Sequence, residues 1–189
     1  MGLLGGSFNP AHEGHRHIAE LAMARLGLDQ VWLMVSPGNP LKPVAGMAPF
    51  AERLTGAVAI GDGRRVIATA IEAALGSRYT ADTLRVFRRL FPRVRFVWIM
   101  GADILTQFPR WRRWREIARD MPFVVLPRPG YTLSALAGMA SRSLRHGRRP
   151  AHEAPVLSRS RSGWVFLPTP QNTTSATAIR EARKQGAVS

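Results

Sequence analysis

A continuous stretch near the start of the chain, Gly5 to His15, constrains the fold of this sequence more than any other feature. Its eleven residues read Gly-Gly-Ser-Phe-Asn-Pro-Ala-His-Glu-Gly-His, between an apolar run, Gly2 to Leu4, and a helix-like run, Arg16 to Leu26. A strand, a glycine turn and a helix start favour anion binding, because glycine lets the backbone approach closely and the helix N-terminus presents unpaired N–H groups. Two imidazoles at this point can also donate hydrogen bonds to phosphoryl oxygens. The stretch therefore predicts a phosphate-binding site.

Two other interpretations of His12 and His15 carry less weight. A zinc site is disfavoured because the chain has no cysteine and no nearby carboxylate pair to complete the ligand shell. The spacing also differs from the His-Glu-x-x-His of zinc proteases. A plain turn with two surface histidines would explain either half of the stretch alone, but not all eleven residues in order after a strand. We predict no protein-bound metal.

Short apolar runs alternate with longer helix-like segments along the 189 residues, of which 46% are hydrophobic. Continuous apolar strands separated by helices favour a parallel sheet covered on both faces. We predict one α/β domain over residues 1–189, a Rossmann-like, doubly wound parallel sheet that binds ligands beyond the carboxyl ends of its strands. The predicted strands are Gly2–Gly5, Val31–Val35, Arg65–Ala68, Arg95–Met100, Phe123–Leu126 and Trp164–Leu167. The predicted helices are His15–Leu26, Pro49–Ile60, Thr69–Leu75, Ala81–Leu90, Trp111–Arg119, Leu133–Arg145 and Ala176–Gln185.

Two segments are expected to be irregular. Met1 leaves little room for a full first strand, so we expect the first rungs of that strand to be missing. The polar, arginine-rich segment 146–162 is predicted to be a mobile loop that leads to the last strand.

The charge of the chain admits a nucleic-acid partner but does not favour one. Basic residues outnumber acidic ones by 27 to 12, which gives a formal net charge of +15. The arginines are scattered and not interleaved with aromatic residues, so a basic nucleic-acid-binding domain is kept only as the alternative from a different functional class. No membrane span or signal peptide is recognised, and we expect a cytoplasmic location. The sequence contains no signal for the oligomeric state.

The second motif, Val35 to Pro43, follows a predicted strand and belongs at the same edge of the sheet. It contains Lys42 in a loop stiffened by three prolines. A lysine held there can neutralise a phosphate, although a surface lysine is an equally simple interpretation.

The third motif, Tyr79 to Leu84, opens a predicted helix. Thr80 is a candidate N-cap. A free helix start also attracts a carboxylate, because its N–H groups point outward. A capped helix without a ligand remains the simpler interpretation.

The fourth motif runs from Trp98 to Asp103 and is followed by Trp111. Gly101, directly after a buried strand, allows a nucleotide to approach, and Asp103 can accept hydrogen bonds from ribose hydroxyls. Trp111 can stack on a pyridine ring. Taken singly, the aspartate would be a helix cap and the tryptophan part of the core.

The fifth motif, Thr174 to Arg180, combines hydroxyl side chains with an arginine one turn later. Ser175, Thr177 and Arg180 can form a second anion site at a helix start. The alternative is a serine-capped terminal helix with a surface arginine.

The opening stretch resembles the Gly-Gly-Ser-Phe-Asp-Pro-x-His-x-Gly-His signature of the nucleotidylyltransferase superfamily, with Asn9 where Asp is commoner. The third and fourth motifs resemble those of nicotinate-nucleotide adenylyltransferases. The resemblance runs from Gly5 to Arg180 and implies the nucleotidylyltransferase type of Rossmann-like fold. This chain departs from the family pattern at Leu41, where a histidine is usual, and at Ala176, where a serine is usual.

The resemblance implies adenylyl transfer from ATP to nicotinate mononucleotide, giving nicotinate adenine dinucleotide and pyrophosphate, with Mg²⁺ carried by the substrate. Sister enzymes acting on nicotinamide mononucleotide or phosphopantetheine are the nearest alternatives. The implied catalytic residues, fixed positive or donor groups around the phosphates, are His12, His15, Lys42 and Arg180. The implied ATP-binding residues are Gly5, Gly6, Ser7, Phe8, His12, His15, Gly101, Asp103, Ser175, Thr177 and Arg180. The implied nicotinate mononucleotide-binding residues are Ser7, Lys42, Thr80, Ala81, Trp111 and Arg128.

Overall fold

A parallel sheet organises the part of the chain that the computed structural model describes, namely residues 1–38, 46–170, 176, 179 and 180. Within those residues the sheet has seven strands in the order β3-β2-β1-β4-β5-β7-β6, and every neighbouring pair is parallel. The predicted Rossmann-like α/β fold is confirmed. The strands are β1 (Gly2–Gly6), β2 (Val31–Val35), β3 (Val66–Thr69), β4 (Val97–Gly101), β5 (Phe123–Leu126), β6 (Arg148–Arg149) and β7 (Trp164–Phe166).

Helices cover both faces of the sheet. Successive strand residues point to opposite faces, so Leu3 belongs to one core cluster and Leu4 to the other. None of the helices in the described ranges has the length and apolar character needed to cross a membrane. The helices are α1 (Glu13–Leu26), α2 (Phe50–Ile60), α3 (Ile71–Ala74), α4 (Thr80–Leu90), α5 (Ala102–Gln107), α6 (Trp114–Asp120), α7 (Thr132–Leu136), α8 (Met139–Ser143) and α9 (Ala154–Leu157).

The order of the strands places the predicted motifs together. The chain adds β2 and β3 on one side of β1 and then crosses to β4 on the other side. Ligands of open parallel sheets bind outside the carboxyl ends of the strands at such a reversal. Gly6 is paired with Val35 and Gly101 with Leu126 at these ends, so the segments that follow four strands meet at one edge.

Three expectations about local structure are wrong, and the first two concern β1 and the predicted helix Leu133–Arg145. β1 has five residues, as do β2 and β4, and Gly2 is already paired on both sides, so β1 is as long as the strands beside it. The predicted helix Leu133–Arg145 is two helices, α7 and α8, because Gly138 between them is extended, with φ −76° and ψ 174°.

The segment 146–162 is also not simply a loop. It contains β6, a turn of 3₁₀ helix and α9, and the side chains of Ala154 and Leu157 in α9 are buried. Its many polar residues concealed these two apolar contacts with the core. Any mobility of this segment stays a prediction. Most of the predicted helix Ala176–Gln185 lies outside the described residues.

Gly5 and Gly56 give opposite expectations for the same substitution. A Cβ atom at Gly5 would lie 2.8 Å from Cζ2 of Trp98, whose side chain is only 3% exposed. A Cβ atom at Gly56, inside α2, would make an ordinary contact of 3.7 Å with Ala11.

We therefore expect Gly5→Ala to lower the free energy of unfolding by about 1–3 kcal/mol through overpacking. Gly56→Ala should raise it by about 0.5–1 kcal/mol, because alanine restricts the unfolded chain and suits a helix. Urea unfolding of both variants and the parent chain measures the difference. Equal stability of the two variants would contradict the packing of Trp98 against β1.

Candidate active site

A cleft of about 610 Å³ opens at the carboxyl edge of the sheet. It brings together residues from all five motifs, with Ser36 and Gly38 from the second and Ala176 and Arg180 from the fifth. The predicted site residues that line it are Gly5, Gly6, Ser7, Phe8, His12, His15, Thr80, Gly101, Asp103, Trp111, Arg128 and Arg180. Three predicted residues lie outside the described residues: Lys42, Ser175 and Thr177.

The turn after β1 is held in a strained conformation. Phe8 has a left-handed backbone, with φ 47°, which is costly for a bulky side chain. Its ring is only 2% exposed, and the centroid lies 4.8 Å from that of the His15 ring. A Cβ atom at Gly6 would approach this ring to 3.2 Å. The absence of a side chain at Gly6 and the burial of the Phe8 ring therefore keep the turn in place.

The two histidines form a reciprocal cap at the start of α1. His12 is the N-cap residue, so the helix begins two residues before its predicted start. The Gly14 N–H donates to Nδ1 of His12 at 3.1 Å, and the His12 N–H donates to Nδ1 of His15 at 3.3 Å. A ring that accepts through Nδ1 carries its proton on Nε2 when it is neutral. The cap thus selects the tautomer that donates from Nε2.

His12 is a neutral donor rather than a positive charge. Its side chain is 6% exposed, and burial, together with the nearby charge of Arg128, lowers its pKa to about 4. Its Nε2 atom is buried and has no hydrogen-bond partner in the described part of the chain. A buried donor without a partner costs about 1–3 kcal/mol. The arrangement therefore favours a ligand oxygen at this position, as the phosphate interpretation requires.

Gly101 and Asp103 line the same cleft as the histidine pair, at the end of β4. Gly101 is the N-cap of α5, and Asp103 lies in the first turn of that helix. A Cβ atom at Gly101 would overlap Oδ1 of Asp103, so the glycine leaves room for this carboxylate above the strand end. Asp103 lines the cleft and is not the N-cap, which leaves its oxygens available to accept from hydroxyl groups.

The start of α4 forms another wall of the cleft. The prediction that Thr80 is the N-cap is wrong: the helix begins at Thr80, and Tyr79 is the N-cap, with no side-chain capping bond. The carbonyl of Tyr79 accepts from the N–H groups of Asp82 and Thr83, so the backbone closes the turn and the threonine hydroxyl is not needed for it. Thr80 lines the cleft, whereas the side chain of Ala81 packs against the core.

Trp111 lies in the same cleft and is held at two of its sides. Its ring centroid is 6.0 Å from that of Trp98 and 5.5 Å from that of Phe108, both in edge-to-face geometry. The side chain is only partly buried. A partly exposed indole fixed by two perpendicular rings can stack on a planar ligand at little entropic cost.

Asn9 belongs to the first motif and contacts the segment before α2. The two predicted arginines, Arg128 and Arg180, lie near the same motif. Nδ2 of Asn9 donates to the Gly46 carbonyl, and Oδ1 accepts from the Ala48 N–H, both at 3.1 Å. Arg180 donates from Nη1 to the Asn9 carbonyl at 2.6 Å, which brings the fifth motif to the first. Arg128, expected at the nicotinate mononucleotide, lies close enough to His12 to affect the pKa of that ring.

Sequence reasoning missed several charged residues around the cleft. Glu72 is 8% exposed and lines the cleft; burial raises its pKa to about 7, although Thr83 donates to it at 3.3 Å. Arg53 is buried behind the cleft, on the apolar side of α2. Both are charged residues at helix positions that face the core. A charged residue at such a position is visible in the sequence and could have revealed them. The other arginines of the cleft have no such signal in so basic a chain; they are Arg78, Arg110 and Arg112.

Comparison with known proteins agrees with this arrangement. A family described as cytidylyltransferase-like matches residues 3–182. A probable nicotinate-nucleotide adenylyltransferase of Gluconobacter oxydans is 58% identical over 96% of this chain and 94% of its own length. One from Brucella abortus is 47% identical over 100% of this chain and 98% of its own length.

The fold is also found in a solved structure. The nicotinic acid mononucleotide adenylyltransferase of Plasmodium falciparum, complexed with NaAD, superposes with a TM-score of 0.68. The match covers 95% of this chain and 82% of that one at 14% identity, and so concerns the fold alone. The sequence matches carry the assignment further: this chain belongs to the cytidylyltransferase-like family and, within it, to the nicotinate-nucleotide adenylyltransferases.

Proposed function

We propose that this chain joins ATP and nicotinate mononucleotide to give nicotinate adenine dinucleotide and pyrophosphate, a step of NAD biosynthesis. One observation carries the proposal: His12, whose Nε2–H has no hydrogen-bond partner among the described residues, lines the same cleft as the α4 start and Trp111. A phosphate donor site and a site for a planar, anionic acceptor are therefore adjacent. We further propose that residues 1–189 act as one nucleotidylyltransferase domain, in the cytoplasm.

The reaction needs positioning and charge stabilisation more than acid–base chemistry. The 5′-phosphate of the acceptor is already ionised at neutral pH and can attack the α-phosphorus of ATP without a general base. The chain then has to align the two substrates in line and stabilise the charge that develops on the phosphoryl oxygens. We assign this stabilisation to the Nε2–H donors of His12 and His15, with His15 nearest the α-phosphoryl group, and to the guanidinium of Arg180.

The remaining predicted residues divide between the two substrates. Gly5, Gly6, Ser7 and Phe8 would surround the triphosphate, while Gly101 and Asp103 would receive the ribose of ATP. Thr80 and Trp111 would bind the nicotinate ring and its carboxylate. Because Arg128 lies near His12, we place it at a phosphate and not at the ring.

We propose that a metal ion enters this site as part of the substrate. The described residues include no group of three histidine, aspartate or glutamate side chains that could hold a metal ion by themselves. The phosphate oxygens of ATP and water would supply most of its ligands, and Asp103, one of the two carboxylates among the described residues that line the cleft, would supply a further oxygen. A bound Mg²⁺ would neutralise phosphate charge.

His15→Ala should lower turnover by about 10²–10³-fold, because it removes a donor that acts on the developing charge. The measurement is pyrophosphate release from ATP and nicotinate mononucleotide. His17→Ala is the matched control, since His17 is an exposed histidine of the same helix. Near-normal turnover of His15→Ala would contradict the assigned role.

The lowered pKa of His12 predicts a direction for the pH dependence of stability. Its pKa is about 4 when folded and 6.5 when unfolded, so between these values the unfolded chain binds more protons. The contribution of His12 to the free energy of unfolding is complete above pH 6.5 and is lost as the pH falls towards 4. NMR titration of the ring and urea unfolding at several pH values measure both effects.

His12→Asn provides the comparison for that titration, because asparagine also caps helices but does not titrate. The variant should lose the component of the pH dependence that falls between pH 6.5 and 4. A ring pKa of 6.5 or above in the parent chain would show that His12 is not the neutral donor described above.

The preference between acid and amide substrates tests the acceptor site. We expect turnover with nicotinate mononucleotide to exceed that with nicotinamide mononucleotide, because the α4 N-terminus favours a carboxylate. Trp111→Ala should raise KM for nicotinate mononucleotide by about 5–150-fold, the range expected for loss of one stacking contact, and Trp111→Phe should recover part of it. Equal rates with both mononucleotides, or an unchanged KM, would favour a sister adenylyltransferase.

A further inference from the structure

Arg53 is a buried cation that the proposed reaction does not yet use. It lies on α2, and only 3% of its surface is exposed. None of the ion pairs between described residues includes it. Its hydrogen-bond acceptors in the described part of the chain are backbone carbonyls. Burying a charged side chain costs free energy unless its hydrogen-bonding groups are satisfied. The contacts that satisfy it therefore indicate why the residue is there.

Four backbone carbonyl groups accept hydrogen bonds from the Arg53 guanidinium. Nη1 donates to the carbonyls of Ser7 at 2.7 Å and Ser36 at 2.8 Å, and Nη2 donates to that of Pro37 at 3.4 Å. Nε donates to the Ala48 carbonyl at 3.0 Å. Ser7 follows β1, whereas the two residues 36 and 37 follow β2. One side chain thus joins the turns after the two adjacent strands.

The contact with Ser7 acts directly on the strained turn. In a trans peptide unit the C=O and N–H bonds point in opposite directions. Fixing the Ser7 carbonyl on Arg53 therefore turns the Phe8 N–H away from the guanidinium, and it also anchors the residue before the left-handed backbone of Phe8. In the same way, the bond to the Pro37 carbonyl orients the N–H of Gly38, which lines the cleft.

The shape of the side chain matters as well as its charge. A guanidinium has five N–H donors in a planar fork, and here Nη1 and Nη2 reach carbonyls of the two turns while Nε reaches the Ala48 carbonyl before α2. A lysine ammonium would keep the charge but could not span these acceptors from one position. Arg53 also places a permanent positive charge behind the turn that is assigned to phosphate.

We propose that Arg53 is a positioning residue for adenylyl transfer, holding the turns after β1 and β2 at a fixed separation so that their N–H groups face the triphosphate. This inference rests on the proposed function. Arg53 touches no substrate in it and acts through the Ser7 and Pro37 peptide units. Because misplaced groups lose alignment in the transition state before they lose ground-state binding, its removal should affect kcat more than KM.

The test compares Arg53→Met, Arg53→Lys and a control, Arg25→Met, which makes the same change at an exposed position of α1. Turnover is measured below the Tm of each variant and referred to the folded fraction. We expect Arg53→Met to lower kcat about 100-fold with little change in KM, Arg53→Lys to recover only part of the loss, and Arg25→Met to behave as the parent chain. A folded Arg53→Met chain with parental kcat, or full recovery in Arg53→Lys, would overturn the proposal.

A second readout keeps this test separate from the proposed reaction. Amide NMR signals of Phe8 and Gly38 should shift in Arg53→Lys and not in Arg25→Met, whatever the chain catalyses. If the parent chain releases no pyrophosphate, the proposed function fails. Amide signals of Phe8 and Gly38 that stay unchanged in Arg53→Lys would overturn the positioning role, whether or not the chain releases pyrophosphate. Should Arg53→Met not fold, the kcat and amide shifts of Arg53→Lys decide the question.

Discussion

The hydrogen bond from the Gly14 N–H to Nδ1 of His12 determines more of this molecule than any other contact. It starts α1 at a defined residue, and it selects the ring nitrogen that carries the proton. Burial then keeps the ring neutral, so that its Nε2–H is left as a donor in the cleft. The start of α1 and the tautomer of the ring are therefore set by one contact, and burial sets the charge of the ring.

Features whose signal is local were predictable from the sequence. The apolar runs at β2 and β5 were found with the bounds seen in the structure, and the first motif predicted the strand, turn and helix start that the structure contains, because these are contiguous there. The family and the fold are likewise confirmed. The individual roles of the site residues stay predictions, including those of Lys42, Ser175 and Thr177 outside the described residues.

Features that depend on distant partners were not predictable. Arg53 looks like any other arginine in a basic chain until the carbonyls of two turns are brought to it. The buried apolar residues of α9 were concealed by their polar surroundings. Thr80 was misjudged for a different reason, because the preceding carbonyl already closes the first turn of α4.

Asn9 couples the first motif to the segment that precedes α2. Its amide donates to the Gly46 carbonyl and accepts from the Ala48 N–H, whereas an aspartate, the commoner residue here, could only accept. Replacement by aspartate in this chain would leave the Gly46 carbonyl to find another donor and would add a negative charge beside the proposed phosphate site. The amide at position 9 therefore fixes the backbone of segment 46–48 against the first motif, whichever side chains that segment carries.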